Sequence, residues 1–286
     1  MIKRGKWYSI LVLGLCLVLA ITVAGCTQNP RYVYENGAIH VGGDGKPIEL
    51  IDNHSATNPT YAELVAFIRG DSTDRREYFR TIPPHKMDYI CSDFAEDVHN
   101  NAETAGIRAA WVSVEFQGTD EGHALNAFET TDRGLVYIDC TGGQYRGLPR
   151  EIHIELYKMA TGHAPPPKPT SWDCVAYVEI GREYGLIDIA KTELPQYSFY
   201  VEYTSNWQTY ENMLEDFNNE VMRFNQEVTG KVYYEGSLEL ARMEAWEAEL
   251  KRNEQRIKEL EDKLGRFWFE PLGVVKDIHI HWGGAQ

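Results

Sequence analysis

The sequence predicts an α+β protein: an antiparallel sheet packed on helices, with a helical hairpin inserted into it. Apolar residues recur at helical spacing in two stretches, Tyr61 to Ile68 and Phe94 to Ala105. Between Ile107 and Cys140 the pattern changes to β-rich runs around a short turn. From Trp207 to Leu264 it becomes two sustained heptad series. With 286 residues, 43% of them hydrophobic and 12% aromatic, the chain is large enough to bury one principal core with additions.

Taken in order, residues 1–25 read as a secretory signal. "MIKRGKWYS" is basic, "ILVLGLCLVLAITVA" is apolar, and Gly25 and Cys26 follow. The apolar run is about fifteen residues, or roughly 22 Å of helix, short of the roughly 30 Å hydrocarbon core of a bilayer. "VAGC" resembles the lipobox of prokaryotic lipoproteins. That resemblance implies a lipid on Cys26, attachment to the membrane through it, and an extracytoplasmic location. Residues 26–58, with Gly37, Gly42, Gly43, Gly45 and Pro47, read as a tether.

The main body is expected over 59–202. "NPTYAELVAFIRGD" is a helix with Thr60 as cap and Gly70 as stop. "TIPPHKMDYI" is kept extended by its two prolines and delivers the chain to Cys91, where a second helix begins and runs to Gly106. "IRAAWVSVEF" is a strand, and "HALNAFET" and "LVYIDC" form a hairpin across "TDRG". "APPPKP" (164–169) is a stiff linker, and "CVAYVEIGREYGLIDI" gives two further strands. Over 203–265, Trp207, Tyr210, Leu214, Phe217, Val221, Phe224 and Val228, then Met243, Trp246, Leu250, Asn253, Ile257, Leu260 and Leu264, step by 3 and 4. These predict an antiparallel coiled-coil hairpin, with polar Asn253 fixing its register. Residues 266–286 carry "VVKDIHIHW", a strand expected to rejoin the core.

Of the five cysteines, Cys16 would leave with the signal and Cys26 would carry the lipid. Cys91, Cys140 and Cys174 then lie in a compartment where disulfides form. Either Cys140 and Cys174 pair and leave Cys91 free, or both are reduced core residues. Cys91 opens a helix, whose unpaired N–H groups and dipole favour thiolate; a packed, inert thiol is the other reading of that position. Pairing of the hairpin strands around Thr131 sets His123 opposite Asp139, Leu125 opposite Tyr137 and Ala127 opposite Leu135. An aspartate there would accept one imidazole N–H and leave the second nitrogen for a thiol.

"YICSDFAEDVHNNAETAGIRAAWVSVEF" followed by "GHALNAFETTDRGLVYIDCT" resembles the transglutaminase-like superfamily, whose core is papain-like. The likeness covers about residues 59–141. It implies Cys91 as nucleophile, His123 as general base and acid, and Asp139 as the carboxylate that orients His123. The Cys91 backbone N–H is the natural oxyanion donor, with Tyr89 as a second candidate. Leu125 and Cys140 stand where that family often has tryptophan and proline.

The implied activity is thiol-dependent acyl transfer on peptide or isopeptide amides at the cell envelope, as a cysteine peptidase, amidase or transglutaminase. The alternative is a catalytically silent binding or scaffolding lipoprotein that works through its coiled coil. Residues 207–264 would then bind an envelope protein or a second copy of the chain. The net charge of −15 argues against nucleic acid. No cofactor is implied, and no metal site is assigned: the calcium loops of animal transglutaminases have no counterpart, and His279 and His281 read as solvent-facing residues alternating with buried Ile278 and Ile280. His99 and His153 read as surface or core histidines.

Overall fold

A computed structural model of the protein describes residues 30–76, 89–141, 159, 172–265 and 271–283. The signal, Cys26, most of the extended run before Cys91, His153 and the 164–169 linker lie outside the described residues. Among the described residues, no helix is long and apolar enough to cross a membrane.

The architecture is α+β. Six antiparallel strands form one sheet: β5 (Ala110–Phe116), β6 (Gly122–Thr130), β7 (Gly134–Asp139), β8 (Cys174–Tyr177), β9 (Gly185–Asp188) and β10 (Val275–Trp282). Their order is β10-β5-β6-β7-β8-β9, so the C-terminal strand lies at the edge beside β5. Four two-residue strands precede them: β1 (Arg31–Tyr32), β2 (Tyr34–Glu35), β3 (Ala38–Ile39) and β4 (Glu49–Leu50).

Helices α1 (Tyr61–Gly70) and α2 (Cys91–Thr104) pack on one face of the sheet. Thr60 caps α1: its hydroxyl accepts from the Glu63 N–H, and Glu63 accepts from the Thr60 N–H at 2.8 Å. Leu64 and Ile68 of α1 meet Val98 and Ala102 of α2 over Phe128, Val136 and Ile138. The opposite alternation of the strands, with Val112, Val114, Leu125, Ala127 and Leu186, builds a second apolar cluster.

Helices α3 (Tyr197–Val228) and α4 (Leu238–Leu264) pack together as a long hairpin. Met243, Leu250, Ile257 and Leu264 are the buried residues of α4, one per heptad. Phe224 meets Trp246 edge to face at 5.4 Å. The helix begins at Tyr197, six residues before the expected 203 boundary, because Tyr200, Tyr203 and Trp207 bury themselves in the main core with Leu264. The hairpin root is therefore part of the core.

The expected tether is corrected from Pro30 onward. Val33, Ile48 and Leu50 are fully buried against Ala95, Trp111 and Ala124. Polar side chains of α2 satisfy the backbone of this segment: Asp93 accepts from the Gly43 N–H at 2.8 Å, Asn100 from Ile51 at 2.7 Å, and Glu103 from Asn53 at 2.9 Å. His99 is a core histidine, 3.3 Å from Asp52.

The solvent-facing reading of His279 and His281 is corrected as well. Paired with Ser113 and Trp111 of β5, they face the β2–β3 hairpin, and Ile278 and Ile280 are only half-buried. Shape at Gly42 is tightly constrained, since a Cβ there would lie 2.0 Å from Asp93 Oδ1. Gly42→Ala is expected to lower stability by about 1–3 kcal/mol through this overlap, read from denaturant unfolding. A variant as stable as the parent would show that the loop relaxes freely.

Candidate active site

Extended backbone at Ile90 (φ −126°, ψ −178°) leads into α2 at Cys91. Asp93 reaches back to the Ile90 N–H at 2.7 Å, and the Trp111 indole N–H donates to the Ser92 carbonyl at 3.3 Å. Asn126 donates to the Ala95 carbonyl at 2.8 Å and to the Ala110 carbonyl at 3.3 Å, tying the helix to β6 and β5. The first turn of α2 is thus held from three sides.

The Cys91 thiol is half-buried, and the His123 side chain and the Ala124 backbone are the neighbours that favour its charged form. His123 Nε2 lies 2.7 Å from Asp139 Oδ2, which leaves Nδ1 for the thiol. Cys91, His123 and Asp139 therefore stand in sequence, thiol beside imidazole and imidazole hydrogen-bonded to carboxylate.

The strand register differs from the expected one. Ala127 pairs with Tyr137 and Glu129 with Leu135, so the turn is centred on Asp132 and the pairing is shifted by two residues. A shift of two preserves the face. His123 consequently meets Asp139 diagonally instead of directly, still within hydrogen-bond reach.

Asp139 is almost fully buried, and both of its oxygens are occupied. Oδ2 takes His123 and the Tyr184 hydroxyl, the latter at 2.8 Å; Oδ1 takes the Thr141 N–H at 2.9 Å and the Thr141 hydroxyl. Tyr184 also packs edge-on against the His123 ring, with centroids 5.5 Å apart at 79°. Sequence reasoning missed Tyr184. It lies just before β9, and only the order β7-β8-β9 brings it to Asp139, so no local spacing could have revealed it.

Charge follows from these contacts. Burial alone would push the Asp139 carboxyl up, but His123 and the two Thr141 donors outweigh it and hold it below the usual carboxylate range. Burial would lower His123, yet the Asp139 charge and hydrogen bond raise it well above ordinary imidazole. Cys91 is penalised by burial, but the His123 hydrogen bond and charge bring its thiol below the ordinary range. Burial, then Asp139, raises Tyr184 far above ordinary phenol, so it remains a donor.

The other two cysteines are unlike Cys91. Both are free, buried thiols, so the bridge considered for them is not formed. Cys174 is the register partner of Asp139, while Cys140 follows Asp139 at the end of β7; the two thiols join different clusters. Burial and nearby aspartates raise both far above the ordinary thiol range.

Tyr89 does not serve the oxyanion position. Its hydroxyl donates to Asp97, and its ring lies under Arg76 at 5.0 Å. Among the described residues, no acceptor is found for the N–H groups of Cys91 and Ser92 at the start of α2, whereas Asp93 and Phe94 donate to the Ile90 carbonyl; the first two are the candidate donors for an oxyanion.

Compared with protein-family models, curated proteins and solved structures, the chain shows no match. The chemistry of the site therefore rests on its own geometry.

Two outcomes test that geometry. Cys91 is expected to alkylate rapidly down to near-neutral pH, whereas an unassisted thiol slows about tenfold per unit below roughly 8.5. His123→Ala should move the profile up toward that value, with Cys140 and Cys174 unlabelled in the folded protein. Peptide mapping against pH reads this, and a profile indifferent to His123 would contradict the pairing. Tyr184→Phe keeps the ring contact but leaves the Asp139 carboxylate one donor short. It should cost about 1.5–3 kcal/mol in denaturant unfolding, and a loss under about 0.5 kcal/mol would mean that the hydroxyl contributes little.

Proposed function

We propose that the protein is a thiol-dependent acyl-transfer enzyme of transglutaminase-like type, acting on peptide or isopeptide amides. The observation that carries this reading is the chain Cys91–His123–Asp139, in which a helix-borne thiol shares an imidazole with a buried, fully hydrogen-bonded carboxylate. The likeness of "YICSDF", "GIRA", "HA" and "DCT" to that superfamily points the same way. Lipid attachment at Cys26 would place the enzyme at the outer side of a cell membrane.

In this reading Cys91 exists as thiolate beside imidazolium. Its sulfur attacks the amide carbonyl carbon, and the developing oxyanion lies by the open N–H groups of α2. As the C–N bond breaks, the His123 Nδ1 proton passes to the departing amine and a thioester remains on Cys91. His123, now neutral, takes a proton from water or from a primary amine as that group attacks the thioester. The C–S bond then breaks, restoring the thiolate–imidazolium pair and releasing acid or new amide. Asp139 keeps its charge throughout and holds the ring by Nε2.

A second reading draws on the hairpin. Val232, Tyr234 and Leu238 at its tip are exposed by more than three quarters of their surface. A binding module would use that end, with the thiol site silent.

One experiment separates the two. Peptide-amide libraries are incubated with the parent, with Cys91→Ala and with a chain whose residues 215–256 are replaced by a short glycine link, a cut that spares the buried root at Trp207 and Leu264. The enzyme reading expects a thioester on Cys91 by mass spectrometry, turnover lost in Cys91→Ala with folding intact, and thioester formation retained in the shortened chain. Turnover that survives in Cys91→Ala would defeat it.

A further inference from the structure

A second cluster of titratable side chains lies away from the thiol, where the N-terminal hairpin meets the C-terminal strand. Glu35 ends β2 and His40 follows β3, while His279 and His281 are alternate residues on one face of β10. The Glu35 side chain is nine-tenths buried. Its Oε2 accepts from the Ser113 hydroxyl at 2.6 Å and from His40 Nε2 at 2.9 Å, and His279 Nε2 lies 3.2 Å from Oε1. One carboxylate thus gathers the β2–β3 hairpin, β5 and β10.

His281 is the odd member. Its Nε2 is fully buried and has no hydrogen-bond partner, because Glu35 Oε2 lies 3.7 Å away, too far for a hydrogen bond. Charged groups reach this place from every neighbouring element. Arg31 of β1 is held by Asp52 at 3.0 Å, and Glu115 of β5 is engaged by Lys276 of β10 at 2.7 Å. Asp277 of β10 lies 3.5 Å from His279. A proton on His40 is therefore matched by Glu35, and one on His279 by Asp277. A proton on His281 finds no anion of its own, at a position where burial penalises charge.

We propose that Glu35, His40, His279 and His281 form an acid-sensitive clasp, in which protonation of His281 drives the hairpin of residues 34–39 off strand β10. Burial, against the pull of the Glu35 charge, holds the His281 imidazole below its usual range, and His40 and Arg31 push the same way. The unfolded chain therefore takes up this proton first as pH falls. Stability from the clasp is complete above about 6.5, the ordinary imidazole value, and is lost as pH falls through the lower folded value. Burial would raise the Glu35 carboxyl, but Ser113 and His40 outweigh it and hold it below the usual carboxylate range, so Glu35 stays charged across this window.

Trp111 links the clasp to the start of α2. Its ring lies 4.9 Å from that of His40 and 5.7 Å from that of His281, and its indole N–H donates to the Ser92 carbonyl. Opening the clasp strips both rings from Trp111 and so restrains the thiol site in acid. That consequence rests on the acyl-transfer reading; the clasp itself does not.

The test is hydrogen exchange by mass spectrometry on the full chain in detergent, at pH 7 and pH 5, corrected for the intrinsic rate at each. At pH 5, peptides covering 32–41 and 275–282 should exchange about tenfold or more faster than that correction allows, while peptides from β7 and β8 keep their protection. His281→Gln, which cannot take the proton, should keep the hairpin protected at both pH values. If that variant does not fold, NMR titration of the His281 ring in the parent decides, with a midpoint below about 6.5 expected. Equal protection of the parent at both pH values, the same loss in His281→Gln, or a His281 midpoint at or above about 6.5 would overturn the proposal. Exchange is read at the hairpin, so an inert Cys91 bears on the acyl-transfer reading and not on this one.

Discussion

The Asp139 carboxylate is the constraint around which the rest of the molecule is arranged. A buried anion costs several kcal/mol to desolvate and survives only if its lone pairs are filled. Here the donors come from three separate stretches of chain: His123 on β6, Thr141 just beyond β7, and Tyr184 ahead of β9. Filling those sites requires β6, β7, β8 and β9 to be neighbours in that order. The carboxylate thus ties the sheet topology to the charge on His123, and through His123 to the state of the Cys91 thiol.

The thiol's position depends on a second aspartate. Asp93 holds the start of α2 by accepting from Ile90 and from Gly43, so the helix end is fixed partly by a segment fifty residues upstream. Trp111 and Asn126 complete the hold from β5 and β6. A helix N-terminus favours thiolate only while its open N–H groups stay aimed at the sulfur. The packed N-terminal segment helps hold this helix end in place through Asp93, and for that reason it belongs to the folded body.

Strong periodic signals were legible in the sequence. The heptads gave the helical pair, the alternating runs gave the strands from β5 to β9, and the Cys, His and Asp positions stood out by residue type and spacing. Weak periodicity hid the N-terminal segment, because its strands are two residues long and its buried Val33, Ile48 and Leu50 follow no repeat. Asn36-Gly37, both at positive φ, was the available signal there: it is the two-residue turn that joins β2 to β3. The β6–β7 register was missed by two residues because Thr130 pairs with Gly134 around a three-residue loop. The Thr130 hydroxyl binds the Gly134 carbonyl and the Arg133 N–H, and Gly134 takes the left-handed conformation (φ 73°). Tyr184 was invisible for a different reason: its role exists only once four strands are assembled.

The hairpin and the thiol site also share a stretch of backbone. Gly185 follows Tyr184, and a Cβ at Gly185 would fall 2.3 Å from the Tyr200 ring at the base of α3. One turn earlier in that helix, the Tyr197 hydroxyl donates to the Glu183 carbonyl at 2.7 Å and its ring lies under Arg182 at 4.7 Å. Residues 182–185 are thus gripped on one side by the first turns of α3, while Tyr184 itself reaches the other way to Asp139. At the far root, the Tyr203 hydroxyl donates to the Leu264 carbonyl at 2.7 Å and locks α4 to the same helix. Close-packed groups of this kind transmit displacement with little loss. The enzyme reading and the hairpin reading therefore meet in residues 182–185, the segment that packs on the root of α3 and also supplies the Tyr184 donor of Asp139.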